Sequence, residues 1–246
     1  MNKQKKTYII RISVILSFIL ILCITYKDNT DKNFLNRLRM EHLRQDSIKR
    51  AKFTYVYNKF SQYNKDIDTL TVKKFIQVVE YFKLDSTKQI LDICISQICL
   101  ESGAKQYKAN GKLLENSSNA VGIAQITHTT AFHYLRNVAG ETNMNIFTEL
   151  GGKKYDFVFK YDQYKPLTDK SRGKIRDWTK DVTNNLILWG FIMHKTLNSH
   201  NNDINLTLIV YNKGVGGLNS YVNQGNDTSK HEYVVLITNI MKKLNS

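Results

Sequence analysis

The stretch TKQILDICISQICLESG, residues 87–103, carries apolar side chains almost all the way round a helix: Ile90, Leu91, Ile93, Cys94, Ile95, Ile98, Cys99 and Leu100. A helix with no polar face has to be covered on several sides, so this segment is expected at the centre of a domain. Ser86 and Gln89 read as a capping box at its start. Gly103 reads as its stop, because glycine takes the left-handed conformation that ends helices. Glu101 then falls in the last turn, at the mouth of the most buried segment. An anion there opposes the helix dipole, at a cost of a few tenths to ~1 kcal/mol. Such a carboxyl is either a solvated helix end or a proton donor in a half-dry site, where desolvation lifts its pKa toward neutrality.

The flanking sequence extends the helical reading. TVKKFIQVVEYFKLD, residues 71–85, places Val72, Phe75, Ile76, Val79 and Phe82 on one helix face. THTTAFHYLRNV (127–138), WTKDVTNNLILWGFIMHKTL (178–197) and EYVVLITNIMKKL (232–244) continue the pattern. The fold class expected is mainly α. The exception is residues 151–174, which alternate aromatic and polar residues around the only proline and read as an extended loop or short hairpin. LTLIVY (206–211) prefers strand locally through its β-branched residues.

Composition excludes several classes. With 42% hydrophobic and 23% charged residues the chain as a whole is not disordered, and one proline with 12 glycines excludes a collagen-like architecture. The net charge of +15 is unevenly placed: residues 1–60 hold 13 Lys/Arg against 4 Asp/Glu (+9), leaving 23 against 17 (+6) for the rest. Much of the basicity is a property of the tail, so no nucleic acid partner is expected, and a mildly basic main domain suits an anionic polymer. Cys94 and Cys99 lie about 140° apart on a helix and read as buried free thiols. His128 and His133 are five apart, and His194 and His200 six apart, neither matching a metal pair on one helix face; no metal or cofactor is expected.

The N-terminus, MNKQKKTYIIRISVILSFILILCITYKDN, has a basic head at 1–7 and an apolar run at 8–26. That run is just long enough to span a bilayer, which takes about 20 residues. Lys3, Lys5, Lys6 and Arg11 precede or open it, so the positive-inside rule puts the N-terminus in the cytoplasm and the chain beyond Lys27 outside. No small-x-small cleavage site follows, and Leu22 is too large for the residue before a lipidated cysteine at Cys23. The expectation is an uncleaved single-pass anchor in the cytoplasmic (inner) membrane, with a cleaved signal as the competing reading. In either version the main domain is exported. Residues 27–64 then form a stalk or helical linker, with apolar positions at Phe34, Leu35, Leu38, Leu43 and Ile48, and residues 65–246 the main domain, with an insertion at about 140–178.

Two later segments stand beside Glu101-Ser102: Gly122-Ile123-Ala124-Gln125 and Tyr211-Asn212-Lys213-Gly214. In this order they resemble the lytic transglycosylase (SLT) family of the lysozyme-like superfamily, where a helix ends in Glu-Ser, a Gly-Leu-Met-Gln type segment follows, and a Tyr-Asn-x-Gly segment comes last. The resemblance covers residues 86–245 and implies a goose-type/SLT helical fold in which LTLIVY is helical. It also implies an activity: cleavage of the bond between N-acetylmuramic acid and N-acetylglucosamine in peptidoglycan, closing a 1,6-anhydro ring. Glycoside cleavage commonly uses two carboxyls. This family is understood to use one glutamate, here Glu101, with the substrate's N-acetyl group stabilising the cationic centre.

By the same resemblance Ser102, Gly122, Ile123, Ala124, Gln125, Tyr211 and Asn212 contact substrate. Gln125 offers its amide to the glycan, Gly122 lets backbone and sugar approach, and Tyr211 positions the acid. Ser117 and Ser118, with Asn116 a third, compete for a serine the family often has before its glycine-rich segment. The chain departs from the pattern in a longer spacing from Glu101 to Gln125, in Ala124 where methionine is common, and in Asn185 to Gly190, one position longer than the family's Asn-x-x-x-Gly. A hydrolytic muramidase would need a second carboxylate, for which Glu115, Glu141 and Glu149 are available. A non-catalytic wall-binding component of a secretion, conjugation or phage assembly is the alternative from another class.

Overall fold

The structure, a computed structural model, describes residues 34–246 apart from residue 163; the expected basic tail and membrane segment lie outside the described residues. Among the described residues no helix is long and apolar enough to cross a membrane. The chain divides into two units, residues 1–52 and 53–246. In the first, residues 34–52 are helical, and the apolar positions Phe34, Leu35, Leu38, Leu43 and Ile48 are exposed.

The second unit opens with helical residues 53–61 (α1), which already bury Val56 and Phe60, ahead of the boundary at residue 65 read from the sequence. It continues through α2 (Thr69–Tyr81), α3 (Lys88–Ser102) and a two-stranded antiparallel hairpin, β1 (Ala120–Val121) and β2 (Ile126–Thr127). Then come α4 (His128–His133), which runs on into a π-helical segment Tyr134–Ala139, α5 (Met144–Glu149), α6 (Asp169–Thr179), α7 (Val182–Ser199), α8 (Ile204–Asn223) and α9 (Glu232–Asn245). The unit is mainly helical, as the periodicity predicts.

α3 is the central helix. Leu91 to Cys99 are buried without a break, α9 runs along it, and Cys94 and Cys99 are free thiols inside it. Its cap is one residue later than the predicted box: the Thr87 side chain, not Ser86, accepts the Ile90 N–H at 3.2 Å. Thr87 is the residue with extended backbone, which an N-cap requires. Gly103 ends the helix in the left-handed conformation, its N–H returned to the Cys99 carbonyl.

α7 packs against both α2 and α8. The crossing with α2 depends on Gly190, where a Cβ would stand 2.3 Å from Val78 Cγ1 and 2.8 Å from Phe82 Cδ2. LTLIVY lies in α8 with Thr207 to Val210 buried, so packing against α7 overrides the local strand preference. α8 breaks at Gly214, whose φ of 72° and ψ of 172° no helix contains.

Of the two readings of residues 151–174, an extended loop or a short hairpin, the hairpin is not formed. Residues 151–174 contain no strand among the described residues; they form a 3-10 turn at Asp156–Lys160 and the start of α6. The reason is who satisfies the backbone. The Lys153 N–H donates to Asn184 Oδ1 at 2.7 Å, and the Trp178 indole N–H reaches the Lys153 and Lys154 carbonyls at 3.1 Å each. Side chains of α6 and α7 therefore do what a partner strand would. Phe147, Tyr155 and Trp178 pack edge-to-face or tilted around this turn and hold the insertion on α7 through Phe191.

Candidate functional site

The carboxyl of Glu101 emerges where α3 meets α9. It is partly buried and accepts a hydrogen bond on Oε1 from the Tyr233 hydroxyl. Burial pushes its pKa up from 4.5 to about 7, with the Tyr233 hydrogen bond pulling the other way. Desolvation penalises the ionised form because the apolar wall of α3 cannot replace water around a carboxylate. The result is an acid that still carries its proton near neutral pH.

Two tyrosines surround it. Tyr233 is held from its own helix start: His231 caps α9, its Nδ1 accepting the Tyr233 N–H at 3.2 Å, and burial lowers this imidazole's pKa, which favours the neutral ring that can accept. Tyr211, on α8, donates to the Ala124 carbonyl at 2.6 Å. Both phenols titrate well above the ordinary range, first through burial and then through the negative charge of Glu101. They are neutral donors at neutral pH.

The second part of the site is the hairpin. Residues 122–125 are its loop, with Val121 opposite Ile126. Two buried amides grip it. Asn185, on α7, accepts the Ala124 N–H at 2.9 Å and donates to the carbonyls of Val121 (3.0 Å) and Thr179 (3.1 Å). Gln106 accepts the Ile123 N–H at 2.7 Å and donates to the Lys180 carbonyl at 2.5 Å. Gly122, at a φ of 77°, faces these amides: a Cβ there would stand 2.8 Å from both Asn185 Nδ2 and Gln106 Oε1. The close approach that this glycine permits is therefore to the protein's own amides.

The remaining residues expected to contact substrate are placed variously. Gln125, at a φ of 48°, is nine-tenths buried and donates its amide to the Gly122 carbonyl at 2.8 Å and the Leu114 carbonyl at 3.4 Å. Ile123 and Ala124 are buried, leaving backbone rather than side chain to contribute. Ser102 accepts the Lys105 N–H and donates to the Ile98 carbonyl, both at 3.2 Å, so it finishes α3. Ser117 and Ser118 are exposed in a turn made by Asn116, whose Oδ1 accepts the N–H groups of Ser118 and Ala120. Asn212 is exposed. Glu101, Tyr211 and the Ala124 backbone are thus gathered at one place, joined by Tyr233; Ser117 and Ser118 sit on a separate loop.

Comparisons with protein-family models, curated proteins and solved structures find no match.

The three other carboxylates have their own surroundings. Glu115 pairs with Arg176 of α6, Glu149 accepts from the Tyr81 hydroxyl at 3.3 Å, and Glu141 lies exposed after Gly140. Among the described residues no group of His, Cys, Asp and Glu is arranged to hold a metal. What the arrangement can do chemically is deliver a proton from one neutral carboxylic acid, beside two phenol donors and a rigid backbone loop.

Proposed function

We propose that the protein is a membrane-anchored peptidoglycan lytic transglycosylase, with its helical unit in the lysozyme-like (goose-type/SLT) arrangement and its catalytic face outside the cytoplasmic membrane. The observation that carries this reading is Glu101: a carboxyl at the end of the central helix, lifted to about 7 by burial. The hydrogen bond it accepts from Tyr233, and the closeness of its charge to Tyr211, whose hydroxyl donates to the Ala124 carbonyl, support the reading further. The three resembling motifs, Glu101-Ser102, Gly122 to Gln125 and Tyr211 to Gly214, supply the substrate class.

The chemistry asked of Glu101 is within its reach. The protonated carboxyl gives its proton to the oxygen bridging muramic acid C1 and the next glucosamine, and that C–O bond breaks. The carboxylate left behind takes the proton of the muramoyl C6 hydroxyl as its oxygen closes on C1. Atoms balance without water, and Glu101 ends as it began. General acid–base catalysis is most efficient when the group's pKa lies near the working pH, which a pKa of about 7 satisfies. A single acid serves both halves of the reaction.

Incubating the full chain with purified sacculi and identifying the released muropeptides by mass spectrometry tests this. The expected products end in 1,6-anhydromuramic acid and vanish in Glu101→Gln. Reducing muramic acid ends would instead make the protein a hydrolytic muramidase, and no release at all would favour a wall-binding component.

A further inference from the structure

Gln97 is a fully buried amide in the otherwise apolar middle of α3, one turn before Glu101, and the reaction just described does not use it. Its side chain lies between two others. Its Oε1 accepts the Trp189 indole N–H of α7 at 3.1 Å, and its Nε2 donates to the Tyr233 hydroxyl oxygen at a longer 3.4 Å. Tyr233 in turn donates to Glu101 Oε1. The line Trp189–Gln97–Tyr233–Glu101 therefore links three helices, α7, α3 and α9, and ends on the acid.

The sense of this line is fixed at its start. An indole nitrogen only donates, whereas a primary amide can present either end and a phenol can donate or accept. Trp189 compels Gln97 to turn its oxygen toward α7, which leaves the NH2 facing Tyr233. The phenol oxygen then receives a hydrogen from Gln97, and its own hydrogen goes to Glu101 Oε1. In a neutral carboxyl the carbonyl oxygen is the better acceptor, so Oε1, which accepts from Tyr233, takes the carbonyl role. The proton of neutral Glu101 is thereby assigned to Oε2.

We propose that Gln97 and Trp189 are positioning residues that select which oxygen of Glu101 holds the transferable proton, by setting the direction of the Tyr233 hydrogen bond. The inference rests on Glu101 being the acid of the proposed function. With the amide reversed, Tyr233 would donate to Gln97, and neutral Glu101 would turn its proton inward to the phenol oxygen, away from a substrate. Buried polar groups of this kind are costly unless every partner is in place, and here each has one. Trp189 is itself buried completely and stacked on Phe75, so the first member of the line has no freedom to move.

Two substitutions in the full chain test it. Gln97→Met keeps the bulk of the side chain, adds no titratable group and removes the donor to Tyr233, so the phenol oxygen is free to accept from neutral Glu101. Trp189→Phe keeps an aromatic ring on Phe75 and frees Gln97 to reverse. The readouts are the Glu101 carboxyl titration, followed by 13C NMR of labelled glutamate, and kcat and KM on soluble glycan strands across pH. The titratable groups facing Glu101 are Tyr233 and Tyr211, with Tyr134 behind Tyr211, and all three are retained. Both variants are expected to raise the Glu101 midpoint by about one pH unit, a tenfold change in proton affinity. They should lower kcat at least tenfold with KM changed less than twofold. Midpoints and pH profiles matching wild type in either folded variant would overturn the proposal. If the midpoints move as expected but wild type cleaves no glycan, the positioning line stands and the catalytic reading of Glu101 fails.

Discussion

Replacing Asn185 with leucine is a demanding perturbation of the site's scaffold, because the side chain is fully buried and its oxygen and its NH2 group together hold three backbone groups. Leucine has a similar volume, so little cavity is left. Three backbone groups lose their partner: the Ala124 N–H and the carbonyls of Val121 and Thr179. A buried group left unpaired costs ~1–3 kcal/mol. The N–H belongs at the upper end, since orphaned buried N–H groups are rare, and the carbonyls at the lower end, since each has a second lone pair. The sum is about 3–5 kcal/mol, a large share of the ~5–15 kcal/mol that holds a typical protein folded. For a unit of this size that corresponds to a fall in Tm of about 6–20 °C. Urea unfolding followed by tryptophan fluorescence reads the right unit, since both tryptophans, Trp178 and Trp189, lie in it. A loss below ~1 kcal/mol would mean that the hairpin's backbone groups have other partners and that the two-amide grip on residues 121–124 is not what shapes the loop.

Three other perturbations have definite outcomes. Glu101→Gln should gain on wild type in stability as pH rises: the native carboxyl holds its proton up to about 7 while the unfolded one releases it near 4.5, so wild type loses stability across that window and is level above it. The difference should be absent at pH 4 and reach roughly 2–3 kcal/mol by pH 8, the upper figure being a ceiling because the group is partly exposed; paired urea titrations at the two pH values measure it. Tyr233→Phe removes the hydrogen bond that pulls the Glu101 pKa down, so the alkaline limb of the pH–rate profile should move to higher pH while the rate at its plateau falls. Gly190→Ala should cost about 1–3 kcal/mol by overpacking, because its Cβ meets Val78 and Phe82, and thermal unfolding will show whether α2 and α7 can part to admit it.

The helical fold was legible because its signals are local and redundant. The all-round apolar run of α3, the one-sided face of α2 and the Gly103 stop each depend on neighbours a turn away. The 120–127 hairpin was not, since its strands are two residues long and its geometry comes from amides that lie 14 residues before the hairpin and 58 after it, at Gln106 and Asn185. Of the two readings of 151–174, an extended loop or a short hairpin, the hairpin fails for the same reason: a strand-like alternation says nothing of whether Trp178 and Asn184 will take the backbone's hydrogen bonds first.

At the site, Glu101 was visible as a charge out of place on a buried helix, and Tyr211 through its motif. Tyr233 was not, because one tyrosine on the apolar face of a helix such as EYVVLITNIMKKL looks like any core aromatic. Gln97 did leave a signal. An amide in the middle of a helix that is apolar all round must find partners inside the protein, and that requirement alone marks a buried polar line. Asn184 and Asn185 are similar, adjacent at the start of the buried α7 and each holding a different loop, 152–153 and 121–124.

The claim on which the rest depends is that Glu101 remains a neutral acid at the pH where the protein works. Titrating the full chain, with 13C-labelled glutamate carboxyls and Glu101→Gln to assign the signal, measures it directly. A midpoint near 7 for Glu101 is the predicted result. A midpoint at the ordinary value near 4.5 would show a solvated helix-end carboxylate and remove the acid from the account.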